Sequence, residues 1–101
     1  MKILALEKET PGATGEQFHP HLRAEAARVW ELYQAGVLRE IYFSQDRHEA
    51  VLILECQGAE EAHQVLGTLP LVREGLITFE VTALIPYSGF ARLFGEGLPS
   101  E

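Results

Sequence analysis

The sequence has few of the features that mark exported, membrane-bound or disulfide-linked proteins. Its one cysteine, Cys56, cannot form a disulfide within the chain, which favours a reducing cytoplasm. The longest apolar runs, such as AVLIL at residues 50–54, are far shorter than the roughly 20 residues that cross a bilayer. Glu7 also interrupts the apolar start where a signal peptide would continue. We therefore expect a cytoplasmic protein that does not bind membranes.

Basic residues are also scarce. Eight lysines and arginines stand against fifteen acids, which gives a formal net charge of -7 at pH 7. No short window gathers the positive charge that a phosphate backbone requires, so we expect no nucleic-acid partner. The spacings typical of phosphate loops, serine nucleophiles and zinc sites are missing too, which predicts a protein without a cofactor.

The length of 101 residues, 47% of them apolar, suits one domain with a modest core. Apolar spacing and breaker residues divide the chain into alternating strands and helices. Residues 1–86 should form the domain, and residues 87–101 a tail. The predicted elements are a strand at Ile3–Leu6, a helix at Glu16–Gly36 with Pro20 in its first turn, strands at Val37–Gln45 and Glu49–Cys56, a helix at Ala59–Leu69 ended by Pro70, and a strand at Ile77–Ile85.

The order βαββαβ predicts an α+β, ferredoxin-like fold, with an antiparallel four-stranded sheet and two helices on one face. The third strand is apolar on both faces, because Val51 and Ile53 point one way while Leu52 and Leu54 point the other. The helices can cover only one of these faces. A second copy of the same sheet is the simplest cover for the other, so we expect a homodimer or a larger homo-oligomer.

Short motifs between His21 and Val81 resemble the muconolactone isomerase group of the dimeric α/β-barrel proteins. These motifs are Arg23-Ala24-Glu25 early in the first helix, the helix end at Gly36, Leu69-Pro70-Leu71, and Glu80-Val81 in the last strand. The resemblance implies two sheets packed face to face into a barrel, with the helices outside and further assembly of the dimers. It also implies that the acid at Glu25 has a role in the site.

Glu25 is unusual because it lies within the apolar stripe of the first helix, with His21 and Arg28 beside it at i-4 and i+3. A carboxylate at a helix-sheet boundary is desolvated, which raises its pKa and suits a general acid or base. In this interpretation Glu25, His21 and Arg28 are the catalytic candidates. The alternative is a half-buried Glu25 whose charge is shared with His21 and Arg28 at the rim.

Substrate-binding candidates come from the sheet face away from the helices and from the edge of the helical stripe. Tyr42, Glu40 and Glu80 alternate onto that sheet face, where they line a pocket between subunits or simply complete an interface. Trp30 is either a ligand platform or a packing residue. We expect no metal site, because the rings of His19 and His21 diverge on a helix and no acid or cysteine cluster completes a ligand set.

The tail is too apolar for a free end, since it carries Tyr87, Phe90, Leu93 and Phe94 within eight residues. We expect these side chains to pack on a partner subunit, at the mouth of its pocket, or back onto their own helices.

Three function classes remain open. The first is a cofactor-free isomerase or lyase that moves a proton on a small lactone or carbonyl metabolite. The second is a binding module that holds a small apolar or anionic molecule without chemistry. The third is a structural or stress-related homo-oligomer. Fold analogy slightly favours the enzyme.

Overall fold

The computed structural model describes residues 1–95, and its element order confirms the βαββαβ prediction. The extra pieces are two one-turn α-helices and two short 3-10 segments, at His19–His21 and Gly89–Leu93. In chain order, the strands and α-helices are β1 at Lys2–Glu9, the one-turn helix α1 at Gly15–Phe18, α2 at Leu22–Gln34, β2 at Leu38–Phe43, β3 at Ala50–Glu55, α3 at Ala59–Leu66, the one-turn helix α4 at Pro70–Arg73 and β4 at Ile77–Ala83.

The four strands form one antiparallel sheet in the order β2-β3-β1-β4. In the centre of the sheet, Leu4 lies opposite Ile53 of β3 on one side and Thr82 of β4 on the other. This order is that of the ferredoxin-like α+β fold, so the predicted fold class is confirmed. None of the helices in residues 1–95 has the length and apolar character needed to cross a membrane.

The prediction of one continuous first helix is wrong in its first two turns. Thr14 caps α1 with a reciprocal pair of hydrogen bonds to Gln17, and α1 ends at Phe18. Pro20 lies beyond the first turn, where its missing N–H and its ring disfavour an α-helix. The chain therefore forms a 3-10 turn at His19–His21 instead. The helix resumes as α2 at Leu22, and the predicted end is correct, because Gly36 adopts the positive φ of 77° that closes a helix.

The second predicted helix is also divided. It ends at Leu66, and Pro70 begins the additional helix α4 instead of only ending the previous one. A proline at the first helical position costs no hydrogen bond, since that N–H has no partner within a helix. The short helix α4 carries Leu71, whose buried side chain packs with Leu76 and Ile77 near the start of β4.

The core lies between the helices and one face of the sheet. On that face Ile3 and Ala5 of β1 and Leu54 of β3 have no exposed surface, and Leu52 has almost none. The helical side of the core is formed by Leu32, Ala62, Leu66 and Leu69. The strands therefore follow the alternation expected from their sequences.

The other face of the sheet, called here the open face, carries a central apolar patch. Leu4 and Leu6 of β1 lie directly opposite Ile53 and Val51 of β3, and all four side chains are only partly buried. This confirms that β3 is apolar on both faces and that the helices cover only one. No other segment of residues 1–95 forms a layer over the patch.

The tail residues that the structure describes do not pack into the domain. Tyr87, Phe90, Leu93 and Phe94 are 69%, 66%, 76% and 78% exposed. Tyr87 and Phe90 contact each other edge to face, with ring centroids 5.0 Å apart. The predicted alternative of packing back onto the chain's own helices is therefore not seen for these side chains, and residues 96–101 of the predicted tail lie outside the described residues.

Candidate functional site

A cavity of about 860 Å³ lies between α2 and the helix-facing side of the sheet. Its floor is formed by core residues of the strands, including Leu38, Ala50 and Leu52, and α4 closes one end through Leu71. The volume is within the range of small-molecule sites. The cavity exists because α2 stands over the β2 side of the sheet, while α3 contacts β4.

Exposed aromatic side chains surround the entrance of this cavity. Trp30 and Tyr33 of α2 stack with ring centroids 5.7 Å apart. Across the entrance, Phe43 of β2 stacks on His48 at 4.0 Å with an interplanar angle of 18°. His48 is held there by a left-handed backbone conformation, with φ of 56°, in the turn between β2 and β3. Flat aromatic surfaces on two sides suit a planar ligand.

Glu25 projects from α2 into the lining of the cavity, as its place in the apolar stripe predicted. One carboxylate oxygen, Oε1, accepts a hydrogen bond of 2.9 Å from the backbone N–H of Leu71. Leu71 is in the first turn of α4, where backbone N–H groups have no partner within the helix. No hydrogen bond to the other oxygen of Glu25 is present within residues 1–95.

The surroundings of Glu25 favour its protonated form. Desolvation by burial is the main cause that raises the pKa of this carboxyl above its ordinary value of 4.5, and the negative charge of Glu7 raises the pKa further. The hydrogen bond from Leu71 acts in the opposite direction and is the weaker effect. A raised pKa of this kind is a feature of carboxyls that act as general acids or bases.

Glu7 is a second buried carboxyl of the cavity, and the sequence analysis did not select it. It is 8% exposed, and its Oε1 accepts a hydrogen bond of 2.8 Å from the backbone N–H of Ala50. The spacing Ile3, Ala5, Glu7 could have revealed it, because alternate residues of one strand share a face and the first two are core residues.

The pKa of Glu7 is raised as well, chiefly by burial and then by the charges of Glu9 and Glu49. The hydrogen bond from Ala50 and the charge of His48 lower it, but these effects are smaller. Glu7 and Glu25 therefore form a pair of desolvated carboxyls, one on the sheet and one on the helix, that line the same cavity.

His21 and Arg28 do not contact Glu25. His21 Nε2 lies 3.8 Å from an oxygen of Glu74, just after α4. Arg28 donates from Nε to Thr68, before α4, at 2.9 Å, and from Nη1 to Glu31 at 3.2 Å. The predicted sharing of charge between these two residues and Glu25 is absent. Their contacts instead hold α2 to both ends of α4, the helix whose N–H binds Glu25.

Three of the four predicted substrate-binding residues lie on the open face of the sheet. By strand register Tyr42 and Glu40 lie opposite Val51 and Ile53, so they share this face with Glu80, as the alternation predicted. Trp30, Tyr42 and Glu40 border the cavity, and the Tyr42 hydroxyl donates a hydrogen bond of 2.8 Å to Glu40. This hydrogen bond is the main cause that raises the pKa of Tyr42 above 10.0. Glu80 lies opposite Leu6 on the open face of the sheet and is not part of the cavity lining.

The part of the chain that the structure describes contains no set of side chains placed to bind a metal ion. Within residues 1–95, no three histidine, cysteine, aspartate or glutamate side chains are grouped closely enough to hold an ion. His19, the partner considered for His21 in the sequence, is not in the cavity lining either.

A family model described as muconolactone delta-isomerase matches residues 5–89. The chain belongs to this family. The match begins within β1 and includes the other three strands, Glu7 and Glu25, and the first residues of the tail, and it confirms the resemblance seen in the sequence motifs. A search among curated proteins found no match.

Solved structures support the same fold for this family member. A crystal structure of muconolactone isomerase has a TM-score of 0.71 at 16% identity, covering 100% of this chain and 98% of that one. A 5-chloro-2-hydroxyhydroquinone dehydrochlorinase from Burkholderia phenoliruptrix, in complex with 2,5-dihydroxybenzoquinone, has a TM-score of 0.68 at 19% identity, covering 88% and 98%. At these identities the likeness establishes the fold.

The buried carboxyl of Glu7 predicts a pH-dependent stability. Because its folded-state pKa is raised, the folded protein binds more protons than the unfolded chain, and the free energy of unfolding falls as pH rises from about 4.5 through the raised value. Glu7→Gln keeps an acceptor for Ala50 but has no charge. We expect the variant to be more stable than the wild type at pH 7 and to show a flatter decline.

Urea unfolding between pH 4 and 8 measures this difference, with Glu60→Gln on the exposed side of α3 as the control. A Glu7→Gln variant that is less stable than the wild type at pH 7, while the control is unchanged, would contradict the prediction.

Proposed function

We propose that this protein is a small enzyme that moves a proton on a cyclic carbonyl or enol compound by acid-base catalysis, without a cofactor. The observation that supports it most directly is the half-buried Glu25 carboxyl, with a raised pKa and one oxygen free of hydrogen bonds, in an otherwise mostly apolar cavity. Proton transfer at carbon needs a base held near the substrate and shielded from water.

The family membership supports a reaction on a small ring compound. The family description names a lactone isomerase, and one of the similar structures is named as a dehydrochlorinase of a hydroxyhydroquinone. Both names describe the conversion of a small ring compound, although the two reactions differ. For this chain we propose the shared element only, a proton taken from or given to the ring by Glu25.

In this proposal the remaining predicted residues assist Glu25. His21 and Arg28 are positioning residues, because their contacts with Glu74 and Thr68 hold α4 in the place where Leu71 orients the Glu25 carboxyl. Trp30, Tyr42 and Glu40 bind the substrate at the entrance of the cavity.

Glu80 shares the open face with Tyr42 and Glu40 but is outside the cavity lining. It lies beside the apolar patch, and we propose that it takes part in subunit contact instead of substrate binding.

Replacing Glu25 tests the catalytic assignment. We expect Glu25→Gln to lower turnover by about a hundredfold or more, the range of a lost general base, without lowering the melting temperature at pH 7. Muconolactone and 5-chloro-2-hydroxyhydroquinone are the first substrates to try. Hydrogen-deuterium exchange into the ring, followed by NMR in D2O, would detect proton transfer even without net conversion.

Glu60→Gln serves as the control for this experiment, because Glu60 is exposed on α3 and lies outside the cavity. A Glu25→Gln protein that is markedly more stable and retains its exchange activity would show that the carboxyl is only a tolerated buried charge.

A non-catalytic binding protein is the second candidate, and one observation favours it. Glu25 already has a structural task, since its carboxylate completes the first turn of α4. Binding of ring compounds without any hydrogen exchange in D2O would support this alternative, whereas exchange that depends on Glu25 would exclude it.

We also propose that the protein forms a homodimer by packing two open faces together. The apolar patch of Leu4, Leu6, Val51 and Ile53 is bordered by polar side chains of β2 and β4, as in an interface with an apolar centre and a polar rim. Two adjacent residues of β3 allow the proposed subunit contact to be tested separately from the core. Leu54 is fully buried under the helices, whereas Ile53 is partly exposed on the open face.

We expect Ile53→Glu to give a folded monomer, because the new charge opposes burial at the interface but remains in water in the free subunit. Leu54→Glu should unfold the chain, because it places a charge in the core. Sedimentation velocity and circular dichroism measure both effects. A wild-type protein that remains a stable monomer at micromolar concentration would refute the dimer.

The exposed tail supports a second contact between subunits. Burying each of its large apolar side chains would contribute roughly 1.5 to 3 kcal/mol, and the entrance of the cavity presents exposed aromatic groups such as Trp30 and Tyr33. We propose that the tail of one subunit packs on its partner, at or near this entrance.

Truncation after Pro86 tests the exchange of tails. We expect the shortened chain to keep its fold, because residues 87–94 contribute almost nothing to the core, but to associate less strongly than the full chain. Sedimentation would show a shift toward smaller species. A truncated protein that is destabilised yet fully associated would instead place the tail on its own subunit.

A further inference from the structure

The cavity contains more negative than positive groups. Its lining includes the carboxyls of Glu7, Glu9, Glu25 and Glu40, and its only cationic side chains among the described residues are Arg39 and, when protonated, His48. Clefts with charge of one sign repel ligands of the same sign, and the effect is strongest where water is excluded. The charge balance of the lining is therefore a constraint on what the cavity binds.

The two cationic groups offset this negative charge only in part. Arg39 donates its Nε–H to the carbonyl oxygen of Gly36, at the end of α2. His48 stacks on Phe43 at the entrance, and both side chains are largely exposed. The charge of His48 reaches Glu7, but it affects the pKa of that carboxyl less than burial or the charges of Glu9 and Glu49.

Glu7 and Glu25 share one arrangement. Each uses Oε1 to accept a single backbone N–H, from Ala50 and Leu71 respectively. Within residues 1–95 neither Oε2 has a hydrogen-bond partner, and no polar side-chain atom is left both fully buried and unpaired, so these oxygens border open space. Glu7 is more than nine-tenths buried and keeps one oxygen without a hydrogen bond. It is therefore a fixed polar group in an apolar cavity, where a ligand can form a hydrogen bond with it.

We propose that Glu7 is a second ligand-binding carboxyl of this cavity, and that Glu7 and Glu25 together select an uncharged, hydroxylated planar ring over the same ring bearing a carboxylate. The inference rests on the proposed function in that it concerns the same cavity. It adds Glu7, which the sequence analysis did not select, and a chemical class of ligand.

Hydrogen bonding explains the preference for hydroxyl groups. Burial of both carboxyls opposes their ionised forms, and a carboxyl that keeps its proton donates a hydrogen bond, whereas an ionised one only accepts. A hydroxylated ring can satisfy both forms, because each hydroxyl both donates and accepts. A carboxylate on the ligand accepts only, and it adds a negative charge beside Glu7.

Shape supports a ring over a chain. Two stacked pairs, Trp30 with Tyr33 on α2 and Phe43 with His48 on the β2–β3 hairpin, belong to the cavity lining, and aromatic rings favour planar ligands that can stack on them. The floor between them is apolar, so the ring itself replaces water there and the hydroxyl groups reach the carboxyls.

Hydroquinone and 2,5-dihydroxybenzoate are a matched pair of probes, since they differ only in one carboxylate. We expect the wild-type protein to bind hydroquinone at least about tenfold more tightly at pH 7, as measured by anaerobic isothermal titration calorimetry. Glu7→Gln should reduce this ratio severalfold by improving the binding of 2,5-dihydroxybenzoate, and Glu60→Gln should leave it unchanged. Of the two substrates suggested above, muconolactone carries a carboxylate and should be the poorer ligand.

Equal or tighter binding of 2,5-dihydroxybenzoate by the wild type would overturn the proposal, as would failure to bind hydroquinone or a ratio that Glu7→Gln does not change. These outcomes are separate from the test of catalysis. If hydroquinone binds with the expected selectivity but no exchange depends on Glu25, the proposed catalysis is wrong and the proposed ligand preference stands. If Glu25-dependent exchange occurs while 2,5-dihydroxybenzoate binds as tightly as hydroquinone, the catalysis stands and the ligand preference is wrong.

Discussion

A four-stranded sheet has two faces, and in this protein the helices cover only one of them. That constraint determines where the strands bury Ile3, Ala5, Leu52 and Leu54, because alternate residues must serve the helix-facing side. It also leaves Leu4, Leu6, Val51 and Ile53 together on the open face. Successive side chains of the same strands point to opposite faces, so one set forms the core and the other forms the proposed subunit contact.

The cavity follows from the same architecture, because it lies between α2 and the side of the sheet where β2 forms the edge. Two carboxyls line this space, and each is held by one backbone N–H while its surroundings oppose its charge. Burial is the larger effect on both pKa values, so the hydrogen bonds orient the carboxyls without fully compensating the lost hydration. Such a balance costs stability and is useful where a proton must be exchanged or a polar ligand recognised.

Positions flanking the short helix α4 connect the rest of the predicted site to Glu25. His21 and Arg28 were expected to touch Glu25 because they neighbour it on one helix, but long side chains choose the partners that tertiary packing supplies. Those partners are Glu74 and Thr68, on either side of α4. The order of elements was predictable, whereas the one-turn helices around Pro20 and Pro70 were not, because the same proline can end one helix or begin another.

By itself the sequence determined the βαββαβ order, the apolar faces of β3, the place of Glu25 within a helical stripe and the family resemblance, because periodicity and short motifs are local properties. Only the tertiary structure decided that Glu7 and Glu25 line one cavity, that this lining includes Tyr42 and Glu40 but not Glu80, and that the tail side chains stay exposed in the single chain. The physical reason is that a cavity depends on the gap between a helix and a sheet. That gap is set by how whole elements pack, which no local pattern encodes.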